Sequence, residues 1–488
     1  MKTEAGHIHF VAIGGTGMGS LAGLLKARGL EVTGSDRVLY PPMSIALERW
    51  GIPVAQGFAK DHVLLRRPAL VVIGNAVGPD NEEARAAIDA GIAYCSFPDA
   101  LYELAMADRH SVVIAGTHGK TTTTSLVSYL LHAAGRDPSF LIGGISLDFS
   151  GSFREGEGPH FVVEGDEYDT AFFDKTPKFL HYHPQTLVVT SVEFDHADIY
   201  RDLNHVKSAF REVVSGMPAD GTLIAAVDHA NVREVVANAP CRVVGYSVEG
   251  AGDGGASEAG IELVTARDAT ADELGTSFRL DASELAVSES QLLSVRVPLH
   301  GAFNVANALA ALVTAEVLGL DFATAAPLLP RFKGVKRRQE FRGEVNGVAV
   351  IDDFAHHPTA VKGSVAAMRE RYPRGRIIAV FEPRTNTSRR RVFQDAYVAA
   401  LADADRVLVH RVPDTPIYSA TGEVTERFSA DELSDALRSR GVPTVVASEV
   451  DELVSALVAD QRPGDVVLVM SNGPFDGIWQ KLLDRLKG

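Results

Sequence analysis

The sequence predicts an α/β protein of three domains built on mainly parallel sheets, and three observations point there. A chain of 488 residues is too long for one compact core, and a prior of roughly 150 residues per domain gives about three. Short apolar runs alternate with helical stretches in a βαβ rhythm. That rhythm restarts twice along the chain, once directly before a glycine-rich loop.

The first unit begins with HIHFVAIGG (7–15), a strand running into a glycine turn. A helix follows near 18–28, then the strand EVTGSD (31–36), a helix near 44–50 and the strand ALVVIGNAV (69–77). The apolar run SVVIAG (111–116) starts the pattern again and puts the first boundary near 105–110. From there to about 330, the strands FVVEGD (161–166), TLVVTSVEF (186–194) and TLIAAV (222–227) alternate with helices such as LNHVKSAFREVVSGM (203–217). Residues 249–260, EGAGDGGASEAG, are too rich in Gly, Ala and acid to pack and are expected as an exposed loop. The third unit follows LLPRFKGVKRRQE (328–340), with strands GVAVIDDF, RIIAVFEP, RVLVHRV, TVVAS and DVVLVMSNG and helices near 357–371 and 430–440. The expected domains are 1–108, 109–333 and 334–488.

Composition narrows the partners. Hydrophobic residues make up 46% and charged residues 23%, as in an ordinary globular protein. A net charge of −16 repels nucleic acid and anionic membranes, so neither is expected as a partner. The two cysteines, Cys95 and Cys241, lack metal-ligand spacing and fit a reducing compartment. No run approaches the roughly 18 apolar residues of a membrane span, and the first residues enter a strand rather than a signal peptide. The expected location is the cytoplasm.

The stretch GTHGKT (116–121) lies between a buried strand and a helix (121–134), so its N–H groups and the helix start converge where an anion is stabilised. Lys120 is placed to reach β- and γ-phosphates and the Thr121 hydroxyl to ligate Mg²⁺. Ile114 stands where the general P-loop pattern has its first glycine, so the loop is a shortened variant. Magnesium needs further ligands at neighbouring strand ends. VVEGDEYD (162–169) and SVEFDHAD (191–198) supply Glu164 and His196, whereas Asp166, Glu167 and Asp198 fit a helix-start cap equally well. The earlier loop, Gly14-Gly15-Thr16-Gly17-Met18-Gly19, also aims N–H groups at a phosphate, and Asp36 at the end of the next strand is placed to accept ribose hydroxyls. Ser20 occupies the third glycine position, so the pair suits NAD or any nucleoside diphosphate.

Taken together, GTHGKTTT, EGDEYD, FDHAD, LHGAFNVANALAA, GVKRRQE and DDFAHHPTA occur in the order seen in Mur ligases, and this resemblance spans essentially the whole chain. It implies an N-terminal Rossmann-like UDP-binding domain, a central P-loop ATPase-like domain and a C-terminal Rossmann-like domain. It further implies an amide ligase that uses ATP and Mg²⁺ and belongs to peptidoglycan metabolism. The words YPPMS (40–44), GDEYDTAFFDK (165–175), EFDHADIY (193–200), EPRTNT (382–387) and VMSNGPF (469–475) resemble the branch that joins the murein tripeptide to UDP-N-acetylmuramate. The branch that adds L-alanine to the same UDP-sugar is the alternative. A monomer or weak homo-oligomer is expected.

The same resemblance implies roles for individual residues. Gly116, Thr117, His118, Gly119, Lys120, Thr121 and Thr122 would bind ATP, with Asn304 and Asn307 at adenine, Arg338 at the phosphates and Asp353 at the ribose. Lys120, His196 and Arg338 would be catalytic, and Thr121, Glu164 and His196 would hold the metal. Gly15, Thr16, Gly17, Met18, Gly19, Ser35, Asp36 and Asn75 would bind the UDP substrate; His356, Arg384, Asn386, Ser471 and Asn472 would bind the peptide. Phe303 replaces a histidine of the family pattern, and Lys207 lies in the neighbourhood of the carbamylated lysine of some members.

Overall fold

The computed structural model describes residues 6–250, 261–285, 292–411, 413, 415–419 and 422–487; among these, three large sheets follow one another in chain order, beside two two-stranded hairpins. From position 251 on, the expected 249–260 loop lies outside these residues. The first sheet is wholly parallel, in the order Val54–Gln56, Glu31–Asp36, His7–Val11, Leu70–Ile73, Tyr94–Ser96. Strand order reverses beside His7–Val11, so the glycine turn after that strand opens at the switch point where α/β sheets bind ligands.

The second sheet has ten strands, with His110–Ala115 between His160–Gly165 on one side and Thr186–Val189 on the other, all parallel. Antiparallel strands Gly275–Asp281, Leu292–Val297 and Gly151–Arg154 extend its edges. These central strands read as unbroken apolar runs because both faces are covered. Val113, Ala115, Leu187 and Val189 enter one core, while Val112, Ile114 and Val188 enter another beneath the helices Lys120–Ala133 and Ala302–Val317. The period of two along a strand sends alternate residues to opposite faces.

The third sheet runs Glu340–Val345, Val348–Asp353, Asp465–Met470, Arg376–Phe381, Arg406–His410, Thr444–Ala447, with only its first strand antiparallel. Its two faces hold separate cores, around Ile351, Ala379 and Val409 and around Val350, Val380 and Leu408.

The two junctions differ in kind. The first and middle sheets share one apolar core that holds Leu21, Leu25 and Leu101 together with Val113, Phe161 and Leu187; Trp50 packs on Phe153 with ring centres 5.0 Å apart. The third domain meets the middle one mainly through polar contacts, such as Thr359 Oγ1 donating to Glu193 at 2.6 Å and Ala197 N donating to Thr387 Oγ1 at 3.2 Å. A buried Leu or Val contributes roughly 1.5–3 kcal/mol and a hydrogen bond about 1 kcal/mol, so the apolar junction is the stronger of the two.

Two expectations change. The strand expected over 186–194 ends at Val189, because Thr190 turns to the phosphate loop, its hydroxyl donating to His118 O at 2.5 Å. Neither Glu167 nor Asp198 caps a helix: a two-stranded hairpin, Asp169–Ala171 with Asp174–Pro177, follows the former, and the helix Leu203–Ser215 is capped by Asp202.

Candidate active site

The GTHGKT turn depends on its glycines. Gly116 and Gly119 sit at φ +141° and +84°; a Cβ would lie 2.0 Å from Thr190 Oγ1 at the first and 2.4 Å from Asn307 Oδ1 at the second. Only glycine takes this backbone and this proximity without strain. The loop is pinned from behind by the next strand's end: Thr117 N donates to Ser191 O at 3.1 Å, His118 N to Ser191 Oγ at 2.9 Å and Glu193 N to Thr117 Oγ1 at 2.9 Å. Gly119 starts the helix Lys120–Ala133 with no side-chain cap, which leaves the first-turn N–H groups to an anion.

Lys120 Nζ donates to Gly116 O at 2.6 Å and to Glu167 Oε2 at 2.7 Å, and the other Glu167 oxygen meets His196 Nε2 at 3.1 Å. Burial opposes every charge here, yet Glu167 and Asp166 hold the Lys120 proton more firmly than usual. Against the same burial, Lys120 and His196 hold the Glu167 carboxyl well below the ordinary range. His196 is raised, because Asp195 and Glu167 outweigh its burial.

Beside this cluster, Thr121 Oγ1 donates to Glu164 Oε2 at 3.1 Å, Gly143 N donates to Glu164 Oε1 at 2.6 Å, and Arg338 Nη2 donates to Thr121 Oγ1 at 3.0 Å. Burial and the neighbouring Asp166 push Glu164 up to about 7, against Gly143, Arg338 and Lys120. Once ionised, Glu164 joins the Thr121 hydroxyl and the neighbouring carboxylates in an oxygen-rich donor set of the kind that suits Mg²⁺, and a bound cation would offset the burial that favours its proton. The residues present therefore fit a magnesium nucleotide.

The adenine-side residues lie on the helix Ala302–Val317 and are buried. Asn307 Nδ2 donates to Asn304 Oδ1 at 3.1 Å, Thr123 Oγ1 to Asn307 Oδ1 at 3.2 Å, and Asn304 Nδ2 to His300 O at 2.9 Å. Asp353 accepts from Gln339 N at 2.9 Å and Ala355 N at 2.7 Å. Phe303 is 39% exposed and lies against Gly301 and Gly363. Thr122 is buried in the first turn of the loop's helix.

At the first loop, Gly14 N donates to Asp36 Oδ2 at 2.7 Å, Gly15 is the N-cap of the helix Thr16–Ala27, and Gly17 faces the Phe97 ring. Gly15 and Thr16 are exposed at the mouth, whereas Met18 is core and Gly19 packs against Met43. Ser35 turns inward, its hydroxyl donating to buried Glu83 at 2.8 Å. Asn75 Nδ2 reaches the middle domain, donating to Asp169 Oδ1 at 3.0 Å.

On the third-domain side, His356 Nε2 lies 3.8 Å from Asp195 Oδ2, and Asn386 Nδ2 lies 3.5 Å from Asp198 Oδ2. Ser471 Oγ donates to Glu382 Oε2 at 2.5 Å, Arg384 is half exposed 3.9 Å from Glu382 Oε1, and the buried Asn472 Oδ1 has no partner. Lys207 pairs with Glu234 at 2.5 Å on the helix Leu203–Ser215, its described partner lying outside the loop cluster.

The loop, Glu164, His196, Asn304, Asn307, Arg338 and Asp353 thus converge on one region. Glu167, which the sequence left open between a ligand and a helix-start cap, is there as the shared partner of Lys120 and His196, two residues past a strand ending at the sheet's crevice.

Three family models match the chain: "Mur ligase family, catalytic domain" over residues 7–109, "Mur ligase middle domain" over 114–315 and "Mur ligase, glutamate ligase domain" over 337–473. A UDP-N-acetylmuramate–L-alanyl-γ-D-glutamyl-meso-2,6-diaminoheptandioate ligase of Escherichia coli (strain K12) is 38% identical over 480 residues, 98% of each chain. A UDP-N-acetylmuramate–L-alanine ligase of Clostridium tetani is 31% identical over 466 residues, 96% of this chain and 95% of that one. The crystal structure of a murein peptide ligase from Psychrobacter arcticus matches with a TM-score of 0.72 and 32% identity over 99% of both chains. Among the described residues, no helix is long and apolar enough to cross a membrane.

Proposed function

The chain belongs to the Mur ligase family, and from that premise we propose that it joins the tripeptide L-alanyl-γ-D-glutamyl-meso-diaminopimelate to the lactyl carboxylate of UDP-N-acetylmuramate. The reaction spends ATP, requires Mg²⁺ and returns murein peptide to peptidoglycan precursors. The observation that carries this substrate choice is the greater full-length identity to the tripeptide-adding relative than to the L-alanine-adding one. The parts divide as 1–108 for the UDP-sugar, 109–333 for ATP and 334–488 for the peptide, and the enzyme works in the cytoplasm, where its two free cysteines stay reduced.

Condensing a carboxylate with an amine in water is uphill, so the carboxylate must first be activated. A lactyl oxygen attacks the γ-phosphorus of ATP and ADP leaves; the peptide's α-amine then attacks the acyl carbon, phosphate leaves and the amine loses a proton. Lys120 and Arg338, both partly buried against the GTHGKT loop, are suited to neutralise charge that spreads over the transferring phosphoryl oxygens. Thr121, Glu164 and His196 would hold Mg²⁺, which supplies further charge neutralisation at the phosphates. The Gly14–Gly19 turn with Asp36 suits the UDP handle, and Arg384 suits a peptide carboxylate through paired hydrogen bonds. Closure of the three domains around the site keeps the acyl phosphate from water.

The test is direct. Purified protein with ATP, Mg²⁺ and UDP-N-acetylmuramate should release phosphate when given the tripeptide and not when given L-alanine. Release with L-alanine alone overturns the proposal in favour of the other branch.

A further inference from the structure

At the junction of the phosphate loop and the third domain, the side chains of His118, a residue of the nucleotide loop, Glu193 and His357 converge, and the ligation steps above give none of the three side chains a chemical role. The ligand atoms of His118, Glu193 and His357 all lie within 4.8 Å of one another. His118 Nε2 is 3.5 Å from Glu193 Oε2, and His357 Nδ1 is 3.7 Å from the same oxygen. We propose that these three residues bind a divalent transition-metal ion of the zinc class that bridges the two domains.

Hydrogen bonding does not account for the cluster. The buried His118 Nε2 has no hydrogen-bond partner, and 3.5 Å is beyond a good N–H···O contact. His357 Nε2 faces the Phe194 carbonyl at 3.2 Å and must donate to it, which leaves Nδ1 as an acceptor. That Nδ1 makes only a long 3.3 Å cap contact to Thr359 N. An acceptor nitrogen of His357 and the unpartnered His118 Nε2 therefore both lie beside one carboxylate oxygen, an arrangement that a cation would complete.

The surroundings match a ligand set held from behind. Metal-ligating histidines usually donate their other ring N–H to a carbonyl or carboxylate, and ligating carboxylates are themselves hydrogen-bonded. His357 does the first, and Glu193 does the second by accepting the Thr359 hydroxyl at 2.6 Å. Zinc takes ligands at about 2.0–2.2 Å, which sets them about 3.3–3.5 Å apart around a tetrahedron. The 3.5 and 3.7 Å separations need a small contraction, and the two histidines, whose ligand atoms lie within 4.8 Å, need to close further on the ion. Two nitrogens and one oxygen favour zinc, cobalt or nickel over magnesium, which prefers oxygens. Three protein ligands leave a fourth position for water.

The experiment uses the full chain, stripped with chelator and returned to millimolar Mg²⁺ without nucleotide, then titrated with Zn²⁺ against a chromogenic chelator. One tight equivalent is expected in the parent and in Glu164→Gln, which alters only the oxygen-rich site. His357→Asn keeps a good helix N-cap but removes a ligand; it and Glu193→Gln should bind at least tenfold more weakly. Co²⁺ should give the parent an intense visible band that His357→Asn lacks. Metal-free thermal melts establish that each variant is folded, and if one is not, the other decides. Absence of a stoichiometric Zn²⁺ site in the parent, or unchanged binding in a folded His357→Asn, overturns the proposal.

Discussion

The Arg338 guanidinium crosses from the third domain to the phosphate loop and donates to the Thr121 hydroxyl at 3.0 Å, while that hydroxyl donates onward to Glu164 at 3.1 Å. Its plane is fixed 4.9 Å over the Phe354 ring. The segment just before it is tied to the middle domain, with Lys336 N donating to Ile145 O at 2.9 Å and Val335 in the middle-domain core, so the Arg338 charge is held at the loop.

Arg338→Ala should therefore lower kcat by about 10²–10³-fold, the cost of removing one fixed donor from developing charge. Binding of the UDP-sugar, expected in the first domain, should stay nearly unchanged. Phosphate-release kinetics beside calorimetry of UDP-N-acetylmuramate binding measure both, and an equal loss in the two would remove Arg338 from the phosphate site.

Gly119→Ala separates the phosphate turn from ordinary left-handed glycines. A Cβ there meets Asn307 Oδ1 at 2.4 Å, whereas Gly135, at φ +75° after the same helix, has open space around it. The expected outcome is a KM for ATP at least tenfold higher in Gly119→Ala. Gly135→Ala should lose only about 1–2 kcal/mol of stability to backbone strain, with ATP kinetics unchanged.

Much of this was legible in the sequence because the local signals agree. SVVIAG followed by GTHGKT can hardly form anything but a buried strand, a glycine turn and a helix, and the structure has them at His110–Ala115, 116–119 and Lys120–Ala133. The role of Glu167 was hidden because its partners come from Lys120, 47 positions away, and His196, 29 away, and no local pattern encodes such a meeting. The meeting of Glu193 with His357, a residue the sequence offered beside His356 as a substrate group or a structural one, was hidden for the same reason. The early end of the 186–194 strand was equally hidden: Thr190 has good β-propensity, but tertiary bonding to His118 overrides it.

Asp352 offers a pH-dependent test within the third domain. Both its oxygens are buried without a hydrogen bond, and Arg337 Nε lies 3.4 Å away. Burial pushes the carboxyl from 3.8 up to about 6, despite Arg337 and Arg342. The folded state thus holds a proton that the unfolded chain releases near 3.8, so stability from this group is greatest below that value, falls as pH rises to about 6, and is level above. Asp352→Asn removes the penalty. Its melting temperature should exceed the parent's at pH 8, by an equivalent of roughly 1–3 kcal/mol, and the gap should close toward pH 4. A gap that is the same at both pH values would show that Asp352 does not titrate in this way.

Arg384 tests the assignment of the peptide side. It is the half-exposed cation of EPRTNT, 3.9 Å from Glu382, and its side chain lies against Gly473, where a Cβ would come within 2.6 Å of it. The glycine therefore leaves the Arg384 side chain room to lie against the 471–473 turn. A planar fork in that position suits a carboxylate, and a lysine would restore the charge without the paired geometry. Arg384→Ala should raise the KM for tripeptide by about tenfold or more, the loss of a charge-assisted hydrogen bond worth about 1.5–3 kcal/mol, and leave the KM for ATP within about twofold. Arg384→Lys should recover only part of the loss. Initial rates with each substrate varied in turn decide it: a rise in both constants together would mean that Arg384 supports domain docking rather than gripping the peptide.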